Sequence, residues 1–236
     1  MQQRAPERAP VSIRPGSVSA GPGPGEKRSA QMRFRKSGTA SRAMPVIRKI
    51  MPTELPLYRA HLLRLDRADR HARFAGTLSD EAVERHCAAI DWGRTVILGA
   101  FEDGALRGAV ELCGDRALWP EQAEFGISIE SGMQGKGVGS TLVRRILIVA
   151  RNRGIRHIHM ICLSENIRMR ALARRYGGRL APEGDETIAL FELPPPDQFS
   201  IALEALEEGS GAFNSILSGN TVAPRLSTPP RQRLAA

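Results

Sequence analysis

Gln134, Gly135, Lys136, Gly137, Val138 and Gly139 stand between a run that alternates like a strand and a run with the apolar spacing of a helix. At a strand-to-helix turn, residues of this kind suit one task, which is holding an anion. Glycine lets backbone N–H groups point inward with no β-carbon in the way. The first N–H groups of the following helix have no partner within it, and the helix dipole adds partial positive charge there. A phosphate or pyrophosphate is the expected occupant.

Two elements must position this turn, and two more follow it. Upstream, Ala123 to Glu130 alternates, with Phe125, Ile127 and Ile129 on one face and Glu124, Gly126 and Ser128 on the other. Downstream, Val138, Leu142, Val143, Ile146, Leu147, Val149 and Ala150 form an apolar helical stripe flanked by Arg144, Arg145 and Arg151, and Gly154 ends the helix. Arg156 to Leu163 reads as a buried strand, with Asn166 at its junction to a further helix that carries Met169 and Leu172 inward and stops at Gly177.

The spacing separates the nucleotide-binding motifs. A dinucleotide fingerprint G-x-G-x-x-G fails because the last position, counted from Gly135, is Ser140; a Walker-type loop fails because Lys136 is followed by Gly137. What remains is Q-x-x-G-x-G. With its flanking elements in this order, the segment from Glu124 to Gly178 resembles the Gcn5-related N-acetyltransferase (GNAT) superfamily. Its motifs stand closest to bacterial protein acetyltransferases of the Pat type, where A-E-F also precedes the loop.

The resemblance implies acetyl-CoA as co-substrate and no metal. It implies that the strand residues Ile127, Ser128 and Ile129 pair with the pantetheine arm. It places the pyrophosphate on the N–H groups of Gln134, Gly135, Lys136, Gly137, Val138, Gly139 and Ser140, and puts Asn166 in contact with the cofactor. Asn166 also suits a helix N-cap, and the two roles are compatible. An amine near pKa ~10 needs a general base at neutral pH. Glu124, ten residues before Gln134, matches the catalytic glutamate of the Pat-type relatives, with Glu111 as runner-up and a plain solvent-facing strand position as the alternative. The chain departs from the family in two places. Ala173 stands where many members carry a thiolate-protonating tyrosine, and Gly178 stands where a phenylalanine is usual; Tyr176 reads as core. Two functions stay open: N-acetyl transfer to a primary amine of a protein lysine, a peptide or a small molecule, and a catalytically silent acyl-CoA-binding module.

Composition sets the frame. The chain has 236 residues with 42% apolar residues, enough for one ordinary domain. Residues 1–44 hold nine Lys/Arg against two Asp/Glu, which is +7 of the formal +9. Rich in Arg, Pro, Gly and Ser, this segment reads as a disordered basic tail. It is either a solvated extension, with Met44 as an alternative start, or an anion-binding arm for nucleic acid. Its prolines argue against a transit helix. No secretory h-region and no ~20-residue apolar span is visible, so no membrane partner is expected. Cys87, Cys113 and Cys162 have no metal-ligand spacing and read as free thiols of a cytoplasmic protein.

The expected fold class is α/β (α+β): a GNAT-like mixed, mostly antiparallel twisted sheet flanked by helices, over residues 45–193. Val46 to Ile50 opens it as a strand, Thr53 to Asp66 reads as one helix, and Ser79 caps a second. Thr95 to Phe101 and Ala105 to Cys113 read as a hairpin, and Glu186 to Leu193 as the last strand. Residues 194–236 form an extension in which a short helix from Phe199 is expected to stop at Gly209 and Gly211, followed by tail.

Overall fold

The computed structural model describes residues 45–76 and 78–217. The basic segment 1–44, with its tail and nucleic-acid readings, and the final stretch from 218 lie outside the described residues.

Among the described residues, seven strands form one sheet in the order β1-β2-β3-β4-β5-β7-β6, antiparallel throughout except where β4 meets β5. They are β1 (Val46–Lys49), β2 (Thr95–Glu102), β3 (Ala105–Gly114), β4 (Gln122–Ile129), β5 (His157–Leu163), β6 (Arg179–Glu183) and β7 (Glu186–Glu192). The helices are α1 (Leu55–Arg64), α2 (Arg67–Phe74), α3 (Asp80–Ala88), α4 (Val138–Asn152), α5 (Ile167–Arg175) and α6 (Gln198–Leu217). The β2–β3 hairpin turns on Asp103 (φ +50°) and Gly104 (φ +80°), the pair of left-handed residues that a tight two-residue turn requires.

Two apolar cores lie on the two sheet faces. Tyr58, Leu62, Val83 and Cys87 of α1 and α3 pack on Ile97, Phe101, Leu106 and Ala109. Leu142, Val143, Ile146 and Ala150 of α4 pack with Leu98, Val110, Leu112, Phe125, Ile158 and Phe191. Gly154, at φ +83°, closes α4: Ile155 N–H reaches back to Ala150 O and Gly154 N–H to Arg151 O, which satisfies the last carbonyls.

Four local readings are corrected. The stretch 53–66 is a 3-10 turn at Pro52–Glu54 followed by α1, and the chain leaves the helix at Leu65 (ψ 135°). A separate α2 then starts on Asp66, whose side chain accepts from Asp69 N–H at 2.8 Å. Its sequence, R-A-D-R-H-A-R-F, has too few apolar residues to announce a helix. β5 is not buried on both faces, since His157, His159 and Ile161 are exposed between buried Ile158, Met160 and Cys162. β6 escaped notice because it is a short, mostly exposed edge strand that contains Pro182, which such an edge tolerates. Finally, α6 runs through Gly209 and Gly211. Contacts of its acidic face hold it: Glu207 meets Arg144 and Arg145, and Glu204 accepts from Asn152 Nδ2 at 2.7 Å. Arg145, read from sequence as a flank residue, is therefore buried and also donates to Ile47 O at 2.6 Å.

Candidate active site

β4 and β5 pair only over Gln122–Glu124 and His157–His159, and then diverge. Among the described residues, the far edge of β4 beyond Glu124 has no neighbouring strand. Which groups it offers follows from the register with β3. Asp115 N–H donates to Gln122 O at 2.9 Å at one end and Glu130 N–H to Arg107 O at 2.9 Å at the other. Backbone polarity alternates along a strand, so the even-numbered residues of β4 direct their N–H and C=O groups to β3. Ile127 and Ile129 direct theirs into the gap. Ser128 thus turns its backbone to β3, while its side chain faces α1.

The gap opens into a cleft of about 1180 Å³ bounded by α2, β4, the glycine turn, β5 and the start of α5. At its base Gly135 (φ +73°) and Gly137 (φ +81°) take the left-handed backbone that glycine adopts without strain. The helical ladder of α4 begins with Thr141 N–H to Gly137 O at 3.0 Å, so the N–H groups of Val138, Gly139 and Ser140 precede it. Val138 anchors this end by burying its side chain. Gly139 permits close approach to β4, because a β-carbon there would stand 3.0 Å from Ile129 Cδ1.

Gln134 has a positional role. Its Nε2 donates to Asp69 Oδ1 at 2.7 Å and to Ile129 O at 3.0 Å, and its Oε1 accepts from Arg168 Nη1 at 2.6 Å. One side chain therefore ties α2, β4 and α5 around the cleft mouth. Lys136 is exposed and folds back, its Nζ donating to Gly132 O. Asn166 caps α5, its Oδ1 accepting from Met169 N–H at 3.1 Å, and it also lines the cleft.

Glu124 lies outside this cleft. It is exposed and lines a second cavity, of about 240 Å³, with Arg73, His86, Arg94, Glu111, Cys113 and Gly126 among the other residues. Arg73 and Gly126 line both cavities, which places them where the two adjoin. Glu111 differs sharply from Glu124. Its Oε2 accepts from Tyr58 Oη at 2.8 Å, Arg73 Nη2 at 2.8 Å and His86 Nε2 at 2.9 Å. Burial pushes its carboxyl up, but the His86 hydrogen bond, the Arg73 charge and the Tyr58 hydroxyl outweigh that and hold it below the usual range.

The sequence model of the acetyltransferase (GNAT) family matches residues 60–178. The chain belongs to this family. An acetyltransferase of Pseudomonas aeruginosa is 30% identical over 155 residues, spanning 63% of this chain and 82% of that protein. The fold is shared with the GNAT domain of S. lividans PAT, at 24% identity and a TM-score of 0.53 over 62% of this chain and 89% of that one. It is also shared with the ribosomal-protein-S18-alanine N-acetyltransferase of Escherichia coli, at 16% identity and 0.51 over 66% and 97%.

In this GNAT domain the family's tyrosine position is filled by Ala173, which is buried in the core. Gly178 is dictated by packing, since a β-carbon there would come within 2.9 Å of Phe191 Cζ and 3.0 Å of Ala173 O. Tyr176 packs against the core but also reaches α4, its hydroxyl 2.7 Å from Ser140 Oγ and donating to Ser140 O at 2.8 Å. Sequence reading missed Arg73, His61 and His86. Each meets its carboxylate partner from a helix 25 to 69 residues away along the chain, and no local spacing signals such a contact.

Proposed function

We propose that the protein transfers the acetyl group of acetyl-CoA to a primary amine. The observation that carries this reading is the gap between β4 and β5, whose free strand edge at Ile127 and Ile129 runs onto the open N–H groups of α4. An extended polyamide arm ending in a pyrophosphate matches that sequence of groups. Ile127 and Ile129 would bind the arm, with the Ile129 carbonyl shared with Gln134. The N–H groups from Gly135 to Ser140 would bind the pyrophosphate, and Asn166 would border the arm. Bound acetyl-CoA supplies an acyl group activated as a thioester.

The chain's own residues supply the rest. Glu124 takes a proton from the ammonium form of the amine in the smaller cavity, which frees the lone pair for attack. Arg73, between the cavities, carries positive charge beside Gly126, where charge develops on the reacting carbonyl. On attack the nitrogen becomes cationic and sheds a second proton; with no tyrosine at position 173, water relays that proton to the leaving sulfur, a thiolate of pKa ~8.5. The acceptor cavity, about 240 Å³, suits one slender amine-bearing chain, such as a lysine side chain or a small alkylamine, better than a bulky polycyclic amine.

The test is release of free CoA thiol from acetyl-CoA with a lysine peptide and a panel of small amines. Amine-dependent release supports the proposal. Thermal stabilisation by acetyl-CoA without release from any amine would favour the silent binding module instead, a reading to which the buried Ala173 lends some weight.

A further inference from the structure

His61 of α1 is fully buried between two residues of the β4 segment. Its Nε2 lies 2.9 Å from Ser128 Oγ and its Nδ1 3.1 Å from Glu130 Oε1. Glu130 also accepts from Arg64 Nε at 3.0 Å, Arg64 Nη2 at 2.9 Å and Arg107 Nη1 at 2.9 Å. Those donors require an ionised, acceptor-only carboxylate, so the Nδ1 of His61 must be the donor between the two. Burial pushes the imidazole below the usual histidine range, which favours the neutral ring. A neutral ring with its proton on Nδ1 leaves a lone pair on Nε2, and the Ser128 hydroxyl must donate to it. The polarity of the whole chain of contacts is thereby set: hydroxyl to imidazole, imidazole to carboxylate. This is the arrangement that activates a serine as a nucleophile.

Ser128 is buried, with its side chain on the α1 side of β4, and it borders the large cleft next to Ile127, whose N–H points into the gap. The geometry points to Ser128 as an acyl acceptor in its own right, giving the protein an amine-independent acyl-thioester hydrolase activity. This rests on the reading that an acyl-CoA occupies the cleft.

The chemistry balances without a further reagent except water. Ser128 Oγ forms a bond to the thioester carbonyl carbon as His61 Nε2 takes the hydroxyl proton. The carbon–sulfur bond breaks, and His61 returns the proton to the leaving sulfur, giving free thiol and an acyl ester on Ser128. The Ile127 N–H is a donor for the charge on the carbonyl oxygen. Water then attacks the ester while His61 Nε2 accepts its proton and passes it to Ser128 Oγ, releasing the carboxylic acid. Glu130, compensated by Arg64 and Arg107, keeps the ring oriented and stabilises the transient imidazolium.

The experiment uses the full chain with acetyl-CoA and no amine. Three readouts are taken: the melting shift, the release of thiol, and a peptide-mapped mass gain of one acetyl group after acid quench. The expected result is slow thiol release, a modified Ser128, and a fall on the order of 10²-fold in release for both Ser128→Ala and His61→Asn, each still stabilised by acetyl-CoA. Ser128→Cys keeps a nucleophile in place and should still acquire the acyl group, which covers the case in which the alanine variant fails to fold. The assignment is overturned if the wild type and Ser128→Cys stay unmodified and amine-free release is the same in wild type and Ser128→Ala. An absent melting shift in the wild type would instead remove the acyl-CoA reading, and this inference with it.

Discussion

Arg73 occupies the space that Gly126 leaves empty: a β-carbon at Gly126 would overlap the Arg73 guanidinium. From there Arg73 reaches Glu111 at 2.8 Å and lines both cavities. The absence of one side chain on β4 thus sets the position of a charge on α2.

Gly126→Ala should displace Arg73 and weaken its hold on the buried Glu111, at a cost of about 1–3 kcal/mol. In an Arg73→Ala background the same substitution should cost far less, because nothing remains to be displaced. Urea midpoints for the four proteins of this cycle measure the coupling, expected at ~1 kcal/mol or more. Simple additivity would mean that the two residues are independent.

Gly137 is left-handed at φ +81°, and a β-branched side chain is strained there. Gly137→Val should tilt the N–H groups at the start of α4 and lose acetyl-CoA affinity. A ligand that binds only the folded state at a hundredfold excess over its Kd stabilises by about 2.7 kcal/mol. That gain, read from melting curves, should largely vanish in the variant, and a wild-type gain would contradict the assignment of the glycine turn.

Glu124→Gln should keep the fold and acetyl-CoA affinity, since Glu124 is exposed and lies outside the larger cleft. Amine-dependent turnover should drop by ~10² to 10⁴. Raising the pH should restore part of it by deprotonating the amine in solution. Full activity in this variant at neutral pH would take Glu124 out of the mechanism.

Glu111 should show the opposite signature, with stability affected first. Its folded-state pKa lies below the ordinary 4.5, so the ionised carboxylate stabilises the fold above that pH, and the contribution disappears as pH falls through the folded value. Glu111→Gln should therefore melt lower at neutral pH and lose less on acidification than the wild type. Melting curves across the acid range test the sign, and parallel wild-type and variant profiles would refute it.

The glycine turn, the strand before it and the helix after it were legible because each is a local pattern: φ-permissive residues, period two, period 3.6. The same holds for the Ser79 and Asn166 caps, whose side chains accept from N–H groups three residues on. The helix α2 was not legible, because it is held by what Asp69 and Arg73 touch across space and has almost no apolar stripe of its own. The role of His61 was hidden for the same reason, as Leu62 beside it reads as core while its own partners, Ser128 and Glu130, sit at the end of β4 and just past it. Burial of Arg145 depended on α6, a helix whose two glycines argued for an earlier end.

The alternation of β4 carries an evolutionary consequence. Within eight residues, one set of positions serves the gap and the α4 core while the other serves β3, α1 and α2. A single inserted or deleted codon inside this stretch would exchange the sets, sending Ser128 toward the helix core and an isoleucine toward His61. Length changes among descendants of this gene should therefore collect in the segment between Gly114 and Gln122. The strand itself can drift only by substitution.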